Sequence, residues 1–171
     1  GVDDNVSDGD QGYRILLSPD NVTADLNYRH LDPPDVMVSN VDDESAGFTM
    51  PINSYTSESG VISTIKLKLN SQPTAGVTIG VASSKPTEGK ITSISSGGTD
   101  NVSFTTSDWN SYKSILITGQ DDNVSDGDQA YIVQLTADTT TSDFRYRNRD
   151  PADVQLINLD NDVAGYFISA L

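Results

Sequence analysis

The chain has 171 residues and a formal net charge of −15, from 25 acidic and 10 basic residues. This excess of acid excludes a nucleic-acid binder that works through basic patches. The chain has no cysteine, which excludes disulfides and thiolate zinc sites, and its single histidine, His30, disfavours a Ser-His-Asp catalytic group. Its uncharged apolar runs are too short to span a bilayer, so we expect no membrane insertion. No charged-then-apolar leader opens at Gly1, so any secretion signal is expected outside these residues.

Short runs of alternating apolar and polar residues recur along the chain and predict an all-β protein. Ile65, Leu67 and Leu69, for example, alternate with lysines, which is typical of a strand with one buried face. No segment shows helical periodicity. We predict seven strands, A to G, over residues 46–54, 61–70, 77–83, 90–95 (rejoining at 101–105), 112–119, 129–137 and 152–158. The predicted fold is a seven-stranded antiparallel β-sandwich.

An internal repeat is the strongest signal in the sequence. The nine residues Asp3–Gln11 recur unchanged as Asp121–Gln129, an offset of 118 residues, and at that offset 25 of the first 48 residues are identical. A period this long is a whole domain and not a solenoid rung. We therefore predict that residues 1–45 are the C-terminal third (strands F and G) of a preceding repeat. Residues 46–163 form a complete repeat, and residues 164–171 are the first strand of a following one.

Two explanations fit this register. The chain is an excerpt from a longer tandem array, which needs fewer assumptions, or neighbouring copies of the chain complete one another by strand donation. In both cases the unpaired edges of residues 1–45 are an aggregation liability unless something covers them.

Acidic residues concentrate in the loops at one predicted end of the sandwich. If each strand crosses from one end to the other, the A–B turn, the C–D turn, the E–F loop and the segment after G all lie there. Carboxylates gathered without basic partners repel one another, and calcium, which takes six to eight oxygen ligands, relieves that repulsion. The alternative is that these residues are ordinary solvated turn formers. The predicted oxygen donors are Glu58, Glu88, Asp121, Asp122, the carbonyl of Val124, Asp126, Asp160 and Asp162, with Asp3, Asp4, Val6, Asp8 and Asp42 in the first copy.

The complete repeat resembles a Calx-β domain, the module of sodium–calcium exchangers and of many large bacterial surface proteins. The resemblance covers about 46–163 and depends on four motifs: Ser57–Gly60, Asp121–Asp126, the aromatic strand Tyr131–Leu135, and Asp160–Asp162. It implies an immunoglobulin-like (Ig-like) sandwich in tandem repeat, in which these acids and the loop carbonyl coordinate a small cluster of Ca²⁺ ions. The chain departs from the family pattern by having Gln129 in place of a glutamate and asparagines at positions 123 and 161, which implies one or two ions.

Three classes of function follow. The first is a non-catalytic, calcium-binding structural or adhesive repeat that stiffens a long extracellular surface or filament-forming protein, with neighbouring repeats or copies of the chain as partners. The second is a carbohydrate- or protein-binding module of an adhesin, which needs Trp109 or Tyr55 exposed beside a groove to bind a glycan or cell-surface ligand. The third is an enzyme such as a glycosidase, which is disfavoured because it needs a cleft and a carboxyl of raised pKa.

Overall fold

The computed structural model describes residues 1–52 and 54–169, so Asn53 of predicted strand A and residues 170–171 of the last predicted strand lie outside the described residues. The described part is all-β and has no helix, and hence none long and apolar enough to cross a membrane. The chain divides into unit 1, Gly1–Glu44, and unit 2, Ser45–Leu171. The strands are β1 (Gln11–Ile15), β2 (Val36–Asn40), β3 (Phe48–Thr49), β4 (Tyr55–Ser57), β5 (Ile62–Leu69), β6 (Val77–Ser83), β7 (Gly89–Ile94), β8 (Asn101–Phe104), β9 (Lys113–Gly119), β10 (Gln129–Thr136) and β11 (Val154–Leu159).

Unit 1 contains one antiparallel pair of strands, β1 and β2, with Gln11 opposite Asn40 and Ile15 opposite Val36. The pair is closed at its far end by Asp35, which accepts a hydrogen bond from the Leu17 N–H (3.0 Å) and forms an ion pair with Arg14 (3.5 Å).

Unit 2 has two sheets that share one hydrophobic core. The four-stranded sheet has the order β3-β5-β9-β7, and the five-stranded sheet has the order β4-β11-β10-β6-β8. Alternating residues of each strand point inward, as the sequence pattern predicts, because successive side chains of a strand face opposite sides. The fully buried core includes Ile65, Leu67, Ile79, Ile117 and Leu156, which come from both sheets. The arrangement is β-sandwich-like, and the all-β prediction is confirmed.

Unit 2 has nine described strands where the sequence predicts seven, and the first added break lies in predicted strand A. This segment is β3 in one sheet and β4 in the other, with Pro51 between them. Proline has no N–H to donate to a ladder, and only its carbonyl is used, by the Lys66 N–H at 3.0 Å. After the change of sheet, β4 lies parallel to β11, with Tyr55 opposite Ile157 and Ser57 opposite Leu159. The prediction of a purely antiparallel fold is therefore wrong for this pair.

The second added break divides predicted strand D. Strand β7 pairs with β9 in the four-stranded sheet, whereas β8 pairs with β6 in the five-stranded sheet. The turn between them includes Gly97 and Gly98, both with positive φ (97° and 80°). Glycine adopts this left-handed conformation without steric cost, so the chain can turn sharply and cross to the other sheet.

The long connection between β10 and β11, which the sequence pattern left unassigned, is anchored by Tyr146. Its buried hydroxyl donates to the Ser71 carbonyl (2.8 Å) and accepts from the Ser71 N–H (3.0 Å). Its ring meets the edge of Phe48 at 6.0 Å between centroids. The connection is thereby fixed to β3 and to the turn after β5, both of which belong to the four-stranded sheet.

The two copies of the repeated sequence have the same local structure. The β10–β11 pair has Gln129 opposite Asn158 and Val133 opposite Val154, which is the β1–β2 register shifted by 118 residues. Both copies also have a non-glycine residue of positive φ at the corresponding position, His30 at 65° and Asn148 at 60°. Residues 164–169 form no strand, and a strand needs a neighbour with which to pair.

Candidate metal centre

The parallel pairing of β4 and β11 brings two acidic segments to one end of unit 2. Because both strands run in the same direction and end together, Glu58 follows β4 next to the residues that follow β11. The Glu58 N–H donates to the Leu159 carbonyl at 3.1 Å and continues the ladder by one bond. Residues about a hundred positions apart in the chain therefore meet here.

Three carboxylates form the centre of this group. Glu58, Asp160 and Asp162 each offer an oxygen, and these oxygens lie within 4.8 Å of one another. Glu58 is buried and accepts the Asn161 N–H at 3.1 Å through Oε2. Asp160 accepts the Asp162 N–H through Oδ1 at 2.7 Å. We call these three residues the carboxylate triad.

The β9–β10 loop surrounds the triad with further acids and is tied to it by hydrogen bonds. Gly127, at a φ of 79°, donates its N–H to Asp160 Oδ2 (2.7 Å). Asp128 accepts the Asp160 N–H (3.1 Å), and Asp121 accepts the Asn161 side-chain amide (3.1 Å). The loop and the segment after β11 thus hold each other in place.

The pKa values in the triad move in opposite directions. The N–H groups of Asp162 and Gly127 donate to Asp160 and lower the pKa of its carboxyl. For Glu58 the Asn161 N–H lowers the pKa, but burial and the charges of Asp160, Asp122 and Asp162 outweigh it, so the pKa is raised. Burial, followed by the charges of Asp160, Asp121, Asp122 and Asp126, raises the pKa of Asp162. Burial and the neighbouring carboxylates therefore make ionisation of Glu58 and Asp162 less favourable.

The residues present fit a hard cation. Among the described residues the ion pairs are Arg14–Asp35 and Lys113–Asp108, so no basic side chain neutralises the triad. Asp162 Oδ2 is buried and has no hydrogen-bond partner within the described part of the chain. An unpaired buried carboxylate oxygen is costly, and calcium is coordinated by carboxylate oxygens of this kind.

Two of the predicted ligands make contacts outside the triad. Glu88 is in the turn before β7, where its carbonyl accepts the Gln120 N–H (2.8 Å), and burial together with the Glu88 charge raises the pKa of Tyr131. The Val124 carbonyl accepts the Asp126 N–H (2.8 Å), while the Val124 N–H donates to Asp122 (2.7 Å). These contacts make the loop a compact turn.

Unit 1 contains a related acidic group. Asp3, Asp43 and Glu44 each offer an oxygen within 4.8 Å of the others, and Asp42 accepts the Gly9 N–H as Asp160 accepts that of Gly127. These residues line a cleft of about 260 Å³ together with Asp4 and Asp8.

Sequence reasoning did not select Asp43 and Glu44 as ligands. The 118-residue offset aligns them with Asn161 and Asp162, so the repeat itself was the signal that could have found them. In the same copy, the predicted ligand Asp4 accepts the Val6 N–H at 2.8 Å, as Asp122 does for Val124.

The aromatic residues considered for glycan binding have different environments. Trp109 is partly buried against the core, and its carbonyl accepts the Leu69 N–H at 3.0 Å. Tyr55 is exposed and lines a groove with Ile52, Val61 and Ile62. Trp109 therefore packs against the core, whereas Tyr55 is accessible.

Comparisons with known proteins assign no family. No protein-family model matches the chain, and no curated protein matches it. A solved structure described as the S-layer protein SbsC domains 4 and 5 aligns with a TM-score of 0.37 and 12% identity. That alignment covers 77% of this chain and 59% of the other. At this distance the similarity assigns neither a fold family nor a function.

Proposed function

We propose that this chain is a non-catalytic, calcium-binding structural module of an extracellular surface or filament-forming protein. The observation that carries the proposal is the triad: three carboxylates from two distant segments that, among the described residues, have no basic partner and include a buried Asp162 oxygen without a hydrogen bond. The sheet orders and the 118-residue repeat support an Ig-like module in tandem array. Resemblance to Calx-β domains supports calcium as the ion.

Glu58, Asp160 and Asp162 would hold the ion, with Asp121, Asp122 and Asp126 close enough to add their charge. The ion would join the turn after β4 to the segment that leaves β11. Since that segment continues to residues 163–169, calcium would restrict the hinge at this end of the module and stiffen an array of such modules. Without the ion, the same carboxylates repel and the junction loosens.

The opposite pKa shifts of Glu58 and Asp160 also occur in the carboxylate pairs of glycosidases. In this protein, however, both carboxylates are occupied by loop N–H groups at 2.7–3.1 Å, and Asp160 is bonded through both of its oxygens. Carboxylates that are held in place by hydrogen bonds among other acids are better suited to coordinating a cation than to transferring a proton to a sugar. Glycoside hydrolysis that is lost in Glu58→Gln would contradict the non-catalytic proposal.

The test is thermal unfolding at pH 7 with 10 mM calcium and with chelator, on wild type, Glu58→Gln and Glu88→Gln. We expect a Kd of roughly 10⁻⁴–10⁻³ M, as for other weak extracellular sites. A tenfold excess of calcium over Kd then adds about 1.4 kcal/mol to the free energy of unfolding. Glu88→Gln is the matched control because it removes a predicted ligand that is not a member of the triad, and it should keep the whole shift.

Glu58→Gln should behave differently in the two buffers. The pKa of Glu58 is raised above 4.5, so its ionisation costs stability as the pH rises past that value. The neutral glutamine still accepts the Asn161 N–H, and in chelator at pH 7 the variant should melt at the wild-type temperature or above it. In calcium it should lose most of the shift. Equal shifts in wild type and Glu58→Gln, or no shift in wild type, would contradict the proposal.

A further inference from the structure

Unit 1 exposes a face that its copy in unit 2 buries. Tyr28 is 64% exposed, whereas its counterpart Tyr146 is 0% exposed. Further exposed residues of unit 1 correspond in the same way to core residues of unit 2: Tyr13 to Tyr131, Ile15 to Val133, Leu17 to Leu135 and Val36 to Val154. We call Tyr13, Ile15, Leu17, Tyr28 and Val36 the open face. An apolar face of this kind on a two-stranded sheet marks an interaction surface.

Outer positions of the same segment have matching exposure in the two copies. Leu26 and its counterpart Phe144 are both 73% exposed, and Met37 and its counterpart Gln155 are both exposed as well. The open face is therefore the part of unit 1 that corresponds to contacts with β3 to β9, and the outer side is the same in both copies.

Polar groups of unit 1 show the same pattern. Asp138 uses Oδ1 for its own loop and Oδ2 for the Thr78 N–H (2.9 Å), and Asp143 likewise accepts the Thr74 N–H through Oδ2 (2.7 Å). Their counterparts Asp20 and Asp25 also use Oδ1 for their own loop, where they accept the N–H groups of Val22 (2.8 Å) and Asn27 (2.9 Å). The Oδ2 atoms of Asp20 and Asp25 have no hydrogen-bond partner among the described residues.

The edges of the strand pair are also open. In unit 2, β10 pairs with β6 on its outer edge and β11 pairs with β4. Within the described residues, β1 and β2 pair with each other alone. Both outer edges thus present free N–H and C=O groups for a further strand.

We propose that the open face binds a further segment of the residue 46–118 type, supplied by another repeat joined directly ahead of unit 1. Such a segment would pair with both edges, cover the apolar side chains, and supply the two N–H groups that Asp20 and Asp25 accept. The 171 residues hold one segment of this type and two strand pairs that fit it, and the one present is engaged by β10 and β11. In unit 2, residue 118 is followed by Gly119, the counterpart of Gly1, so a duplicated segment that ends at residue 118 can be joined to Gly1 with the same connection. This inference does not depend on calcium.

The experiment duplicates residues 46–118 ahead of Gly1 in the full chain and measures amide hydrogen exchange, in chelator and again in calcium. In the parent chain we expect the β1 and β2 amides to exchange almost as fast as those of an unfolded chain, because an isolated strand pair is marginal in water. In the extended chain we expect their exchange to slow to that of β10 and β11. Exchange that stays fast in the extended chain would overturn the proposal.

Two substitutions separate docking on the open face from a general effect of lengthening the chain. Val36→Asp places a charge on the open face, and Met37→Asp places the same charge on the outer side of the same strand. In the extended chain, Val36→Asp should abolish the protection of β1 and β2, and Met37→Asp should preserve it. Equal behaviour of the two variants would refute the assigned face.

Discussion

Removal of one hydroxyl, in Tyr146→Phe, tests how the connection between β10 and β11 is held. The hydroxyl is fully buried and satisfies both the N–H and the C=O of Ser71, at 3.0 and 2.8 Å, and it also contacts the Ser71 hydroxyl at 3.0 Å. Ser71 is fully buried too, so its main-chain groups lose their partner in the variant. A buried polar group left without a partner costs about 1–3 kcal/mol, and we expect a total loss of about 2–4 kcal/mol.

The assay is urea unfolding of both proteins, with Tyr28→Phe as the matched control. Tyr28 is the same residue in the first copy and its hydroxyl has no hydrogen-bond partner among the described residues, so its substitution should change the free energy of unfolding by less than about 0.5 kcal/mol. Tyr146→Phe should also lower Tm by roughly 5–15 °C. A loss below about 0.5 kcal/mol for Tyr146→Phe would refute the assigned role of this hydroxyl.

Two further predictions concern unit 2. In Gly119→Ala the new Cβ would collide with the Ser57 carbonyl and with Asn158, so urea unfolding should show a free energy of unfolding lower by about 1–3 kcal/mol. The control Gly165→Ala places its Cβ in open space and should leave the free energy of unfolding unchanged. Equal effects of the two substitutions would contradict this packing. The side-chain hydrogen bond from Lys113 (2.6 Å) and the Thr105 N–H lower the pKa of Asp108 to about 2. Stability from Asp108 should be complete above pH 3.8 and lost as the pH falls through 2, and an NMR titration of Lys113→Met should show the midpoint of Asp108 rising.

Alternation in the sequence was sufficient to predict the strands that keep one face on the core throughout. Strands β5, β6, β9, β10 and β11 fall within two residues of their predicted bounds for that reason. Prediction failed where a strand changes sheets, at Pro51 and at Gly97-Gly98, because the choice of sheet depends on neighbours distant in sequence. The contact of Tyr146 with Ser71, 75 residues away, was equally invisible to local pattern.

For the acidic site, strand direction predicted that the turn after β4 and the segment after β11 meet, and Glu58, Asp160 and Asp162 do lie together. Strand direction also predicted that Glu88 lies at this end of the sandwich, and it could not show that Glu88 is not a member of the triad. The end of a sandwich is wider than a single coordination sphere. The buried Asp162 oxygen has no hydrogen-bond partner in the part of the chain that the structure describes, and this depends on side-chain packing, which a sequence pattern does not reveal.

The most direct test of calcium binding is a crystal structure of the full chain grown with millimolar calcium, with anomalous difference density used to locate the ions. We expect a peak 2.3–2.6 Å from carboxylate oxygens of Glu58, Asp160 and Asp162, the usual distance for calcium. Density elsewhere only, or a triad without a peak in calcium-saturated crystals, would contradict the assignment of this cluster as a calcium site.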